Sequence, residues 1–404
     1  MFAQADHSRS NVRIVMKRIN EANKEYLLRR QRRMERHRIR RKDKKRSFVS
    51  ISQKSSSIAS QPKVRSKFLQ LYYQKRAYDG QPLKIAVPGE LGIETDFPGF
   101  LDFAEKIIES NARNLFIDME NCEFIWPSAI TLLCSLVQWF ELTKSASSIF
   151  PKIGSSKSKS DAVNGYLAHC GFYNYVNRPH DATNSHFDAS EVVKIVRETS
   201  PRNMKVRIQG IKALLKKYST LSLDQIEDFG DNVLPEVFQN VNEHGVTSRD
   251  QGWYTLAQYR PTTGLITICV ADNGIGVKNS LLTGPQRDTL LSRFPFNEYD
   301  DAEVILEAMK ENISGAWDAS RATKKGMIRR PRFERGRRRG HGLSRIRDCC
   351  ERLTIPMTIL SGRGAVNIDS NGKIQQQSRQ KRIFAGTLYH FVIQANKREK
   401  YESS

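Results

Sequence analysis

The pattern of apolar and polar positions becomes globular at about Pro82. Leu83 to Val87 forms a short strand-like run. Phe100, Leu101, Phe103, Ala104, Ile107 and Ile108 then recur at helical spacing between Pro98 and Ser110. Asn114 to Met119 is a strand pattern carrying an acid at Asp118, and Trp126-Pro127-Ser128-Ala129 opens an apolar helix, Ile130 to Phe140. Lys144 to Asp161 reads as a Ser/Lys-rich loop. A helix through Tyr166, Leu167 and Cys170 follows and runs into Gly171-Phe172. Residues 186 to 225 read as helical, with Val192, Val193, Ile195 and Val196, then Ile211, Leu214 and Leu215, as stripes. Strand signals dominate afterwards: Trp253 to Tyr259, Leu265 to Ala271, Met357 to Leu360, Ala365 to Ile368 and Thr387 to Ile393, with a turn at Ser370-Asn371-Gly372. Two helical patterns interrupt them. Asp301 to Trp317 has Ile305, Met309, Ile313 and Trp317 on one face, and the second carries Ile346, Cys349, Cys350 and Leu353.

Ahead of Pro82 the chain changes character. From Arg13 to Arg46 there are 16 Lys/Arg against 4 Asp/Glu, a large part of the net charge of +23. This stretch lacks Pro and Gly, so a helix is plausible there, but its few aliphatics do not make a core. Ser-rich sequence from Ser47 to Gln61 reads as a linker, so residues 1–80 form a basic arm, helical or disordered, with its linker. A second basic cluster spans Arg321 to Arg339. No run of apolar residues is long enough to span a membrane and no secretory signal is visible, which makes the cytoplasm the expected compartment. The six cysteines contain no Cys-x-x-Cys pair and suggest neither a metal site nor a disulfide framework.

Four short motifs carry chemistry. Glu236-Val-Phe-Gln-Asn240-Val-Asn-Glu-His244-Gly245 puts Glu236, Asn240 and His244 on one face of a helix, with Val233, Val237 and Val241 on an adjacent stripe. An amide oxygen such as that of Asn240 suits magnesium, which prefers oxygen ligands and keeps several waters. A carboxylate one turn away, Glu236, can polarise a water or hydroxyl. Asp272-Asn273-Gly274-Ile275-Gly276 follows a strand. Its carboxylate can accept from an exocyclic amino group, and Gly274 and Gly276 let the backbone come close. Gly340-His341-Gly342-Leu343 feeds a helix N-terminus, whose N–H groups favour phosphate. Gly386-Thr387 enters the last strand. Each is weak alone: a solvated helix face, a tight turn or a glycine hinge would look the same.

Taken in order, the motifs resemble the N-box, G1 box and G2 box of the GHKL ATP-binding fold, the family of gyrase, mismatch-repair ATPases, histidine kinases and anti-sigma-factor serine kinases. The resemblance implies ATP and Mg2+ as cofactors, Glu236 as general base and Asn240 as magnesium ligand. It makes His244, Asp272, Gly274, Gly276, Gly340, His341, Gly342, Leu343 and Thr387 nucleotide-binding. The strand–turn–helix pattern before it resembles a STAS domain, the fold of anti-sigma-factor antagonists. Those proteins carry Asp-Ser-Ser-Gly at the turn and are phosphorylated on the first Ser. Trp126, Pro127, Ser128 and Ala129 stand there instead, and proline has no hydroxyl. The expected fold is therefore α/β: a STAS-like α/β domain over 82–178, then a GHKL-type α/β sandwich over 186–396 with a long lid at 277–339.

Within that family, no histidine lies in an acceptor box, since His37 precedes Arg38 and His7 precedes Ser8. Glu243 and His244 stand where the mismatch-repair and chaperone branch has Asp and Ala, whereas His-Gly matches the anti-sigma kinases. The first reading is thus a bacterial-type regulatory protein coupling ATP binding, hydrolysis or serine phosphorylation to a partner protein. A nucleic-acid-associated ATPase, gripping phosphate backbones through the basic arm, is the second. A non-hydrolysing interaction module is the third. A homodimer is compatible with each.

Overall fold

The structure, a computed structural model, describes residues 82–396 except 113, 145–152, 177–187, 200, 246–251, 284–290, 293, 295–297, 311–341 and 382. All described residues belong to one compact unit, Phe68–Ser404. The basic arm and linker, the Arg321–Arg339 cluster, Gly340, His341 and most of the lid lie outside them. No described helix is long and apolar enough to cross a membrane.

The fold is mixed α/β. In its first half, β1 (Pro82–Ala86), β3 (Asn114–Asp118) and β5 (Ile153–Ser155) form a parallel sheet in the order β1-β3-β5, and β2 (Glu90–Leu91) pairs in parallel with β4 (Phe124–Ile125). Helix α1 (Phe97–Ile108) begins at Asp96, whose Oδ1 accepts the Gly99 N–H at 2.9 Å. Pro98 falls in its first turn, where the absent N–H has no partner to lose. Helices α2 (Pro127–Lys144) and α3 (Asp161–Cys170) follow. Strand β5 lies inside the stretch expected to be a Ser/Lys-rich loop. Three residues are too few for a periodic signal, and parallel pairing with β3 makes them a strand.

The second half is a seven-stranded sheet, antiparallel throughout, in the order β11-β10-β9-β12-β8-β7-β6. Its strands are β6 (Val192–Glu198), β7 (Trp253–Arg260), β8 (Leu265–Asp272), β9 (Met357–Gly362), β10 (Gly364–Ile368), β11 (Ile374–Ser378) and β12 (Phe384–Gln394). Strand β6 corrects the helical expectation for 186–225. Its valines and isoleucine are β-branched, and their antiparallel pairing with β7 makes them an edge strand. Helix begins only at α4 (Met204–Tyr218), which carries the expected Ile211, Leu214 and Leu215 in the core. One face of the sheet is covered by α4, α5 (Leu223–Asp228), α6 (Leu234–Asn240), α7 (Gly276–Thr283), α8 (Asp301–Ala308) and α9 (Gly342–Arg352). Helix α8 ends at Ala308, short of the expected Trp317; residues 311–317 lie outside the described chain.

The opposite face is covered by the first half. Helix α2 packs on β7, β8 and β12, and every side chain from Ser128 to Phe140 is buried. A helix apolar all round needs cover on all sides. α1 flanks it, and the sheet's back face supplies Tyr254, Leu256, Ala271, Leu360 and Leu388 to the same core. Ser128, in the first turn of α2, is buried with it. Its Oγ donates to Glu94 Oε2 at 2.6 Å and accepts the Ile93 N–H at 3.2 Å.

Leu133→Ala, in the middle of α2 and wholly buried, should cost about 2–5 kcal/mol. Because the core is shared, fluorescence and far-UV dichroism should report one denaturation transition for both halves. Two separated transitions would contradict a shared core.

Candidate functional site

The chain stays helical from Leu223 to Gly245. A capping box joins Ser222 and Gln225, α5 runs into a π turn (Phe229–Val233), then α6, then a second π turn (Val241–Gly245). Pro235 sits in the first turn of α6. The carbonyl its ring would crowd, four residues back, belongs to the widened π turn, so the helix is not broken there. Val233, Val237 and Val241 are fully buried, and α9 packs along the first π turn and α6.

This arrangement brings distant motifs to one cleft. A cavity of about 520 Å³, counted with its open mouth, is lined by Asn240, His244, Asp272, Gly276, Gly342, Leu343 and Thr387. These residues come from all four sequence motifs. Glu236 is not on its wall but stands just behind: its Oε2 lies 3.4 Å, and Asn240 Oδ1 3.3 Å, from where a Cβ on Gly342 would be. Asn240 Nδ2 donates to Tyr389 Oη at 3.4 Å, and His244 Nδ1 meets Ser280 Oγ at 3.0 Å. Gly274 also stays off the wall; its N–H donates to Asp272 Oδ1 at 2.7 Å. Gly340 and His341 lie outside the described residues.

Asp272, at the end of β8, is 2% exposed. Burial drives its carboxyl from the ordinary 3.8 up to about 7, while the N–H groups of Gly274 and Thr387 restrain the rise. The backbone of β12 closes on it so tightly that a Cβ on Gly386 would come within 2.1 Å of Asp272 O and 2.6 Å of Gly274 N. Only glycine fits there. Gly276 opens α7 with φ +74°, a second position that favours glycine. Ser361 ties the loop together, donating to Gly386 O at 2.9 Å and accepting the Val277 N–H at 2.8 Å.

Several residues escaped the sequence reading. Val277, Ser280, Leu281, Ala308 and Tyr389 also line the cleft. Tyr389 had a signal, since it lies two residues beyond Thr387 and strand alternation puts both on one face. Burial and the nearby Asp272 carboxyl push its phenol upward. Ala308 had none, because it arrives on α8 from far along the chain. Arg345, whose Nη1 donates to Glu236 Oε1 at 2.8 Å, was also missed.

Among the described residues no group of three or more His, Cys, Asp or Glu side chains could hold a metal by itself. The side-chain oxygens nearest Gly342 are Asn240 Oδ1 and Glu236 Oε2. That suits an ion bound chiefly by phosphate and water better than one in a protein cage. No family model, curated protein or solved structure matches the chain.

The raised Asp272 carboxyl makes a signed prediction. Between pH 4 and 7 the folded state holds a proton that the unfolded chain releases, so this group's contribution to stability falls as pH rises through that window and stays low above it. Asp272→Asn removes the buried charge. It should stabilise the protein more at pH 8 than at pH 5, as measured by urea denaturation. An equal effect at both values would mean that Asp272 is already ionised at pH 5.

Proposed function

We propose that the chain is an ATP-binding regulatory protein of GHKL type, with a STAS-like front half, and that the cleft takes the nucleotide with magnesium. One observation carries the reading: motifs from Asn240 to Thr387, chosen for their separate chemistries, line the same cavity.

The cavity wall carries two chemically distinct sets of groups. One is Asp272, a buried acceptor, with the apolar side chains of Val277, Leu281 and Leu343 also on the wall. Ionised, it accepts from the amino group of adenine; a guanine presents a carbonyl oxygen at the equivalent place, acceptor facing acceptor. The other is Asn240 with the N-terminus of α9 at Gly342, where N–H groups and the helix dipole favour phosphate. Magnesium, when bound, would neutralise phosphate charge there, with Asn240 as its protein ligand. Glu236, one turn before Asn240, is the group able to accept a proton from water or from a partner's hydroxyl.

ATP would then serve serine phosphorylation of a partner, hydrolysis or a gated change of shape. The buried, hydrogen-bonded Ser128 favours a partner chain over the front half as the phosphate acceptor.

Calorimetric titration with a non-hydrolysable ATP analogue tests the reading. The wild type should bind the analogue in preference to its guanine counterpart, and Asp272→Asn should weaken binding by about 1–3 kcal/mol or more. Asn240→Ala should lose the magnesium-dependent part of the affinity. Glu236→Ala should retain binding while turnover, followed as free phosphate or labelled protein, falls about 10²–10⁴-fold. A folded protein with no affinity for adenine nucleotides would sink the proposal.

A further inference from the structure

Among the described residues lining the cleft there is no lysine or arginine, so on this wall neutral donors meet the charge of a triphosphate. Three hydroxyl groups stand there, on Ser280, Thr387 and Tyr389. Two have a partner able to accept their hydrogen. Ser280 Oγ lies 3.0 Å from His244 Nδ1, and Thr387 Oγ1 lies 3.4 Å from Ser361 Oγ. Tyr389 differs. Its Oη is met by Asn240 Nδ2 at 3.4 Å, and an amide nitrogen only donates. The phenol oxygen therefore accepts, and its own hydrogen has no acceptor among the described residues. Tyr389 is 3% exposed, and a buried donor without an acceptor is costly. The ring is fixed by its place on β12, opposite Val270 of β8 and Ile359 of β9, both buried. Asn240 in turn reaches the start of α9, its Oδ1 lying 3.3 Å from where a Cβ on Gly342 would be. Phenol, amide and the first residue of α9 are thus successive neighbours.

We propose that the Tyr389 hydroxyl is a phosphate-binding donor of the cleft, giving its hydrogen to a phosphate oxygen of the nucleotide beside Asn240 and the start of α9. This rests on the nucleotide reading above and adds a residue that recognises phosphate within it. Burial and the nearby Asp272 carboxyl push the phenol upward, so it keeps its proton near neutral pH and remains a donor. An anionic oxygen is the acceptor that such a donor favours, because a charge-assisted hydrogen bond is shorter and about twice as strong as a neutral one. Accepting from Asn240 polarises the O–H in the same direction. The acceptors of a base or a ribose are neutral, and the neighbours of Tyr389 along this wall, Asn240 and Gly342, are the groups suited to magnesium and phosphate.

The test compares the wild type with Tyr389→Phe, in magnesium, against three ligands: a non-hydrolysable ATP analogue, adenosine and inorganic tripolyphosphate. The last two are read by competition with the analogue. Phenylalanine keeps the ring in the sheet and removes the hydroxyl alone. Thermal unfolding without ligand checks the fold, and Tyr389→Leu replaces the phenylalanine variant if that one is unfolded. The variant should bind the analogue and tripolyphosphate about 10–100-fold more weakly, the usual worth of a hydrogen bond to a charged group. Adenosine, which has no phosphate, should not distinguish the two proteins. Unchanged affinity for the analogue would overturn the proposal. So would an adenosine loss as large as that of the analogue, which would put the hydroxyl on base or ribose. Tripolyphosphate that does not distinguish the two proteins would overturn it as well. Each of these results leaves the nucleotide reading standing, whereas a folded wild type that binds none of the three ligands defeats both.

Discussion

The seven-stranded sheet has two apolar faces, and the rest of the architecture follows from how the second is covered. Tyr254, Leu256, Ala271, Leu360 and Leu388 on the back face would meet water without α2, and α2 is too apolar on all sides to stand alone. Each therefore requires the other. The strands that α2 backs, β8 and β12, are those that carry Asp272 and Thr387 to the cleft on the front side. The candidate site is thus built on a sheet braced from behind, where a small shift in packing would reach the carboxylate directly.

Polar contacts fix the register of this seam. Tyr166 Oη donates to Gln258 Oε1, and His390 Nε2 lies 2.9 Å from Glu94 Oε1, whose other oxygen accepts from Ser128. The Arg260 guanidinium lies 3.9 Å from the centre of the Phe124 ring, near Trp126 and Tyr166, and donates to Ile125 O at 3.1 Å. Apolar surfaces alone tolerate sliding. Buried hydrogen-bonding groups do not, because a shifted register strands several of them at once.

The sequence made the local features visible and hid the non-local ones. The helical spacing of Phe100, Leu101, Phe103, Ala104, Ile107 and Ile108 is a short-range pattern, and α1 lies there. The glycine motifs were legible because close backbone approach leaves few residue choices, as Gly386 against Asp272 shows. Val192 to Val196 misled, since β-branched residues in a short apolar run fit either element until a neighbouring strand is known to pair with them. Ile153–Ser155 is a strand only because β3 lies beside it. Arg345 and Glu236 are 109 residues apart, and no spacing rule connects them.

Asn273 sits between the carboxylate of Asp272 and the first glycine of its loop, yet its side chain turns away from the cleft. Nδ2 donates to Ser135 O at 2.7 Å and to Gln138 Oε1 at 3.0 Å, and Oδ1 accepts from Ser135 Oγ at 2.8 Å, all on α2 and all buried. Replacing any one of the three strands hydrogen-bonding atoms of the others in a dry interior. Inheritance should therefore treat them as one character. Lineages descended from this chain can exchange the trio together, for an apolar set of similar volume, far more readily than they can drift through the half-changed intermediates. The loop beside the cleft and the helix behind the sheet would then keep a common evolutionary history.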